Sequence, residues 1–304
     1  MLKDTLSANR KRLRTMTAKS YLQRLLVIAF LCVGAGSAQA HDALDPVETC
    51  RAWIDQRSWR AHEETPETRV LSDRTACYDG MIERGSLDAL HEWIGRTERA
   101  DGESPTLVIR SGGGDAEVAL GLAEKLQNRN ARVFISEICA SSCANFLYAG
   151  IRLRHVFDGA LILFHGGYSG KSRASVMKEL EDFLAGPHGV LVEDHDANRN
   201  AARHAFDAAA VRQDALFRRI GVDPAIVHGV DAIDFAEIDD RRCGGTSTLP
   251  RRFVYFDMAQ MERLGIAPVT GLPETRPTHV NAAIAALDAS FVACSAPEDV
   301  LSAK

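Results

Sequence analysis

TLVIRSGGGDAEVALGLAEKLQNRNARVFISEICASSCANFLYAG, residues Thr106 to Gly150, reads as strand, glycine turn, helix, strand, and a small-residue turn into a short second helix. TLVIR (Thr106 to Arg110) is a compact apolar run of the kind a sheet buries on both faces. SGGGD follows it directly, and AEVALGLAEKLQN then puts Val118, Leu122 and Leu126 on one helical face. ARVFISEI is the next strand. CASSCANFLYAG turns into a helix that Gly150 stops. Strand, turn, helix, strand in this order is the pattern of parallel βαβ units, so the fold class is α/β.

The pattern extends in both directions. SLDALHEWIGR (Ser86 to Arg96) has apolar residues at helical spacing, and a short strand is expected to end at Gly80-Met81-Ile82. RLRHVF and ALILFH, ending at Phe157 and His165, are two further short strands. Beyond Gly170 the chain turns helical and charge-rich, with a break at Gly186-Pro187. RRFVYFDMAQMERLGIA (Arg251 to Ala267) reads as a strand and one short helix. The expected organisation is a leader over 1–40, a helical segment over 41–75, an α/β domain over 76–270 with a helical insertion at about 186–250, and a tail with little pattern over 271–304.

The leader has its own logic. Residues 1–40 carry seven basic side chains and one acidic, a net of +6. Leu25 to Gly36 is uncharged and apolar, and Ala38-Gln39-Ala40 follows. Basic start, short apolar run and A-x-A read as a secretory signal peptide, which places the mature chain in the periplasm or outside the cell. A membrane anchor is the alternative, although a span needs ~20 apolar residues. Cys32 follows Leu31 rather than a small residue, which argues against a lipid anchor. Since the whole chain is −5, the part after residue 40 is −11. A surface of that sign repels nucleic acid and anionic membrane.

Six cysteines follow the leader: Cys50, Cys77, Cys139, Cys143, Cys243 and Cys294. An even number in an exported chain suggests disulfides, with fifteen pairings possible. Cys50 with Cys77 is preferred, because both lie in the N-terminal segment. Cys243 with Cys294 would tie down the C-terminal tail. Cys139 and Cys143 then remain, four residues apart. Zinc is the alternative reading, but C-x3-C without a second close pair is weak evidence for it. No metal or cofactor is expected. His41 would become the N-terminus, where an amine and imidazole can bind copper, yet it has no partner in view. His188, His195 and His204 lie in a charged helical stretch and are expected to face solvent.

Three segments carry chemistry. Consecutive glycines after a strand, Ser111-Gly112-Gly113-Gly114, can turn backbone N–H groups into a cleft. Small residues around Ser141 at a strand-to-helix turn can lift a hydroxyl into the open, near the positive end of a helix dipole. His165, between a buried strand and Gly166-Gly167, stands at a cleft edge. Each has a plain structural reading: a tight turn, a helix cap, a half-buried histidine. Their order and spacing, 28 residues from Gly113 to Ser141 and 24 from Ser141 to His165, is the more specific signal.

That order resembles the proteolytic subunit of the Clp protease and the wider Clp-protease/crotonase superfamily, over about residues 76 to 185 and loosely over 251 to 267. The S-x-G-G loop, the core Ala140-Ser141-Ser142-Cys143-Ala144, the Ala149-Gly150 close and the strand ending in His165 match in register, and FDMAQMERLGIA matches the segment that ends in a short helix and a Gly-Ile pair. The resemblance implies a fold of repeated β-β-α units. It implies a serine hydrolase, a peptidase, with Ser141 as nucleophile, His165 as general base, and the Gly113 and Ser142 N–H groups as the oxyanion hole. The family's Asp, about fifty residues after the histidine, has no counterpart in Cys243-Gly244-Gly245-Thr246; Asp240, Asp239 and Asp214 are the candidates, and a Ser–His dyad is the alternative. The implied partner is a peptide or protein substrate, with self-association possible. The ATPase-docking features are not recognisable, so no ATPase partner is expected. Competing readings are a Ser–Lys signal-peptide peptidase using Lys125 or Lys171, a crotonase-type acyl-CoA enzyme, and a non-catalytic binding module on the same fold.

Overall fold

The computed structural model describes residues 45–97, 104–187, 192–245, 248–266, 276–287, 290–298 and 300, and the leader lies outside them. The described elements are α1 (Pro46–Asp55), α2 (Trp59–Glu64), β1 (Glu67–Ser72), β2 (Thr75–Asp79), α3 (Asp88–Thr97), β3 (Thr106–Ser111), α4 (Ala116–Asn128), β4 (Arg132–Ala140), a π-helical turn (Cys143–Tyr148), β5 (Leu153–Val156), β6 (Leu161–Leu163), α5 (Gly170–Ala185), α6 (His195–Ile220), α7 (Ala225–Ala232), a 3₁₀ turn (Asp240–Cys243), β7 (Arg251–Tyr255), α8 (Met258–Arg263), α9 (Pro277–Ala286) and β8 (Val292–Ser295).

All six residues of β3 are buried, because helices cover both faces of the sheet around it. The sheet order is β1-β2-β3-β4-β5, with β6 also on β4. Only β1 with β2 is antiparallel; β2, β3, β4, β5 and β6 pair in parallel. α3 and α4 make the crossovers.

β4 serves two partners on one side. Its first half, Arg132 to Ile135, pairs with β5, and its second half, Ile138 to Ala140, pairs with β6. Between the halves the register against β3 slips, and Glu137 takes a positive φ of 57°. A bulge of this kind bends and twists a strand. The chain continues from β6 into Phe164, which exchanges hydrogen bonds of 2.7 and 2.8 Å with Val254 of β7. β8 then pairs in parallel with β7.

The main core lies between the sheet and α3, α4, the π-helical turn and α6, with Trp93, Leu122, Leu126, Phe146, Leu216 and Phe217 buried. Each such side chain stabilises the fold by ~1.5–3 kcal/mol through burial. A second cluster, containing Ile54, Val108 and Phe157, puts α1 on the other face.

Three disulfides are present: Cys50–Cys77, Cys139–Cys143 and Cys243–Cys294. They favour an oxidising extracellular or periplasmic location. By loop closure they would contribute ~3.5, ~2 and ~4 kcal/mol respectively. No helix of the described residues is long and apolar enough to cross a membrane.

Three expectations need correction. The segment over 41–75 is not wholly helical: after α1 and α2 it ends in β1, which pairs with β2. The strand expected to end at Gly80 to Ile82 is Thr75–Asp79 and stops just before them, and Ile82 makes only an isolated bridge to Gly114. The C-terminal tail is structured within its described part, holding α9 and β8. A four-residue strand such as β8 shows no period by itself; its partner β7 lies about forty residues earlier, so pairing and burial decide it.

Candidate active site

Parallel register brings the serine and the histidine together. Ala140 of β4 lies opposite Leu163 of β6, so Ser141 and His165 leave the sheet at the same edge. Ser141 N donates to Leu163 O at 2.9 Å, and Asn145 N donates to Ser141 O at 2.8 Å. Between these anchors Ser141 holds φ of +55°, a left-handed conformation that costs a side-chain-bearing residue ~1–2 kcal/mol. The result is a hydrogen bond of 2.6 Å between Ser141 Oγ and His165 Nε2.

Asn145 ties the two segments a second time. Its Nδ2 donates to His165 O at 2.7 Å and Gly166 O at 2.5 Å. The sequence reading passed over it, although a buried amide in the apolar stretch CANFLYAG calls for a partner. Phe253 flanks the imidazole, with ring centroids 5.2 Å apart.

The glycine loop closes over the serine. A Cβ at Gly113, whose φ is +103°, would sit 2.5 Å from Ser141 Cβ and 2.9 Å from Ser141 Oγ, so no larger residue fits. Gly113 N donates to Ser111 Oγ, two residues back, at 3.1 Å. Gly112 N donates to His62 Nε2 at 3.2 Å. Ser142 is buried at the start of the π-helical turn, and its Oγ has no hydrogen-bond partner.

His62 begins a buried network that reading the sequence did not find. Since Nε2 accepts from Gly112, the ring proton sits on Nδ1, which donates to Asp79 Oδ1 at 2.8 Å. Arg110 donates to Asp79 twice, at 2.7 and 2.9 Å, and Arg57 once, at 2.5 Å. Burial opposes ionisation of Asp79, but hydrogen bonds from His62, Arg110 and Arg57 outweigh it and hold its pKa at about 2. Arg110 also bonds to Glu137 at the bulge. The network therefore joins α2, the sheet and the base of the glycine loop. Its signals were a charged Arg110 closing the apolar run TLVI and an Asp79 closing TACY.

The three acid candidates lie elsewhere. Asp240 bonds to Arg251, Asp239 caps the 3₁₀ turn through Arg241 N, and Asp214 is 3.0 Å from both Arg218 and His228. Each is drawn to a cation or an N–H beside it. The carboxylate whose charge acts on His165 is Asp231, at the end of α7. It accepts from Ser172 N at 3.0 Å, Ser172 Oγ at 2.7 Å, and Ser169 Oγ. A Cβ at Gly166 would lie 2.3 Å from Asp231 Oδ1, which fixes how closely Asp231 stands against the residue after His165. Sequence spacing missed it because it sits 66 residues after the histidine, in the apolar helix AIVHGVDA.

Burial pushes the His165 pKa below the ordinary histidine value, and the Asp231 charge pulls it partly back. Neither lysine stands in for the base: Lys171 Nζ donates to Ile233 O at 2.9 Å, and Lys125 Nζ is 3.5 Å from His91. Beside the site runs a cavity of about 770 Å³, lined by Asp115, Tyr168, Val176, Phe206 and Arg212 among others. Asp115 is two residues past Gly113, and Tyr168 is three past His165. No metal-ligating cluster occurs among the described residues.

No family model matches the chain, and no curated protein matches it.

Proposed function

We propose that this protein is an exported serine hydrolase, most simply a peptidase, on a Clp-protease/crotonase-like fold. One observation carries the reading: Ser141, held at a positive φ, places its Oγ 2.6 Å from His165 Nε2. A serine hydroxyl is a poor nucleophile until a neighbouring base takes its proton. In this reading His165 Nε2 takes that proton as Oγ attacks the carbonyl, and returns it to the departing amine. Water then cleaves the acyl-serine by the same route in reverse. The Asp231 charge favours the imidazolium formed at each step, and Asn145 fixes the loop that carries the ring. The Gly113 and Ser142 N–H groups remain the proposed oxyanion donors, each worth ~3 kcal/mol in such sites; Gly113 must release Ser111 Oγ to serve. The apolar cavity beside the loops suits a peptide side chain.

Treatment with a fluorophosphonate tests the reading. Labelling is expected at Ser141 and is expected to vanish in Ser141→Ala and His165→Ala. Full labelling in both variants would end it. A non-catalytic binding module is the second reading, and the turn of Gly113 N–H toward Ser111 is the observation that favours it.

A further inference from the structure

Ser141 occupies a conformation that L-residues avoid, and it is not replaced by glycine, so something must hold it there. The Cys139–Cys143 bond spans just this point. It closes Ala140, Ser141 and Ser142 between the end of β4 and the first residue of the π-helical turn, with Cα atoms 5.3 Å apart. Cys139 is itself pinned, lying opposite Ser111 of β3 on one side and Ile162 of β6 on the other. The bond therefore transmits the fixed position of the sheet to the start of the helical turn, across the serine.

The other two bonds behave differently. They join separate elements across 27 and 51 residues, where loop closure stabilises a fold most. The bond around Ser141 spans only four residues and contributes least by that route. Its placement is accounted for by position rather than by stability.

We propose that the Cys139–Cys143 bond arms the nucleophile, so that the enzyme gains its Ser141–His165 pair only after oxidation; this rests on the catalytic reading above. Forming the bond joins the two sulfurs. Their two protons and two electrons pass to the disulfide of an exchange partner, which leaves as a dithiol. In a reducing compartment the thiols stay apart, the turn relaxes toward negative φ, and Oγ leaves Nε2. Both sulfurs are fully buried, so the bond once formed is shielded from small thiols in solution. Arming is then a single event tied to export rather than a reversible switch.

The test compares Cys139→Ala/Cys143→Ala with Cys50→Ala/Cys77→Ala and wild type. Inactivation by a fluorophosphonate is followed as its limiting rate and its half-saturating concentration, alongside thermal melting. The 139/143 variant is expected to melt cooperatively and to lose at least about tenfold in limiting rate, with half-saturation unchanged. The 50/77 variant is expected to lose more melting temperature and to label at the wild-type rate. Wild-type labelling by the 139/143 variant would overturn the proposal. Should that variant not fold, wild-type chains folded in graded glutathione buffers replace it. Their labelling rate is expected to follow the fraction carrying the 139–143 bond by non-reducing peptide mapping, and a rate independent of that fraction overturns the proposal. A wild type unlabelled at Ser141 removes the catalytic reading itself, and the inference with it.

Discussion

Ser141 and Ser142 are adjacent hydroxyls with opposite surroundings. Ser141 Oγ meets an imidazole, whereas Ser142 Oγ is buried without a partner. Ser142→Ala removes an unsatisfied polar atom and keeps the backbone N–H, so it should leave labelling within a few-fold and be neutral or stabilising by up to ~1 kcal/mol. Ser141→Ala should abolish labelling while the melting temperature holds. The Ser141→Ala/His165→Ala double variant should hydrolyse little more slowly than either single, because members of one catalytic unit are not additive. The reverse pattern, with Ser142→Ala inactive, would move the nucleophile by one residue. The two acids separate in the same way. Removing the Asp231 charge lowers the His165 pKa further, so the acid limb of the rate profile in Asp231→Asn should move to lower pH as the rate falls. Asp240→Asn, which only frees Arg251, should leave the profile in place. An unmoved limb in Asp231→Asn would remove that residue from the mechanism.

At the scale of elements, the glycine loop and the bulged β4 place Ser141. Gly113→Ala would add a Cβ 2.5 Å from Ser141 Cβ at a φ of +103°, so a loss of at least ~1–3 kcal/mol and slower labelling are expected, read from melting and inactivation rates. Beneath the loop, Asp79→Ala would strand Arg110 and His62 in the interior, and denaturant unfolding should show a loss of ~3–5 kcal/mol. The pH dependence follows from the same group. Asp79 is held at about 2, below its unfolded value of about 4, so its contribution is complete above that value and drains as pH falls toward 2. The wild type should lose stability across this window, and Asp79→Asn should flatten that part of the curve. β3, α4 and β4 were legible because each has its own strong period and a glycine or small-residue boundary. β1 and β8 were not, since short strands at sheet edges are decided by their partners.

For the molecule as a whole, the cysteine pairing follows the order of segments. Three bonds among six cysteines bind α1 to the sheet, the serine turn to itself, and the 3₁₀ turn to β8. The sequence alone determined the α/β class, the preferred Cys50–Cys77 pair, and the order of glycine loop, serine turn and histidine. Those are local properties: hydrophobic period, small residues at turns, and cysteine parity. Folding alone decided which carboxylate stands beside His165, where the Gly112 and Gly113 N–H groups point, and that His62, Asp79 and Arg110 form one network beneath the loop. The physical reason is sequence distance. Asp231 is 66 residues from His165, and Arg110 lies 31 from Asp79 and 53 from Arg57; such pairs meet only after the sheet has set its register and the helices have packed. Hydrogen-bond partners compete at close range, so Asp240 went to Arg251 and Gly113 to Ser111, choices that residue type and spacing leave open.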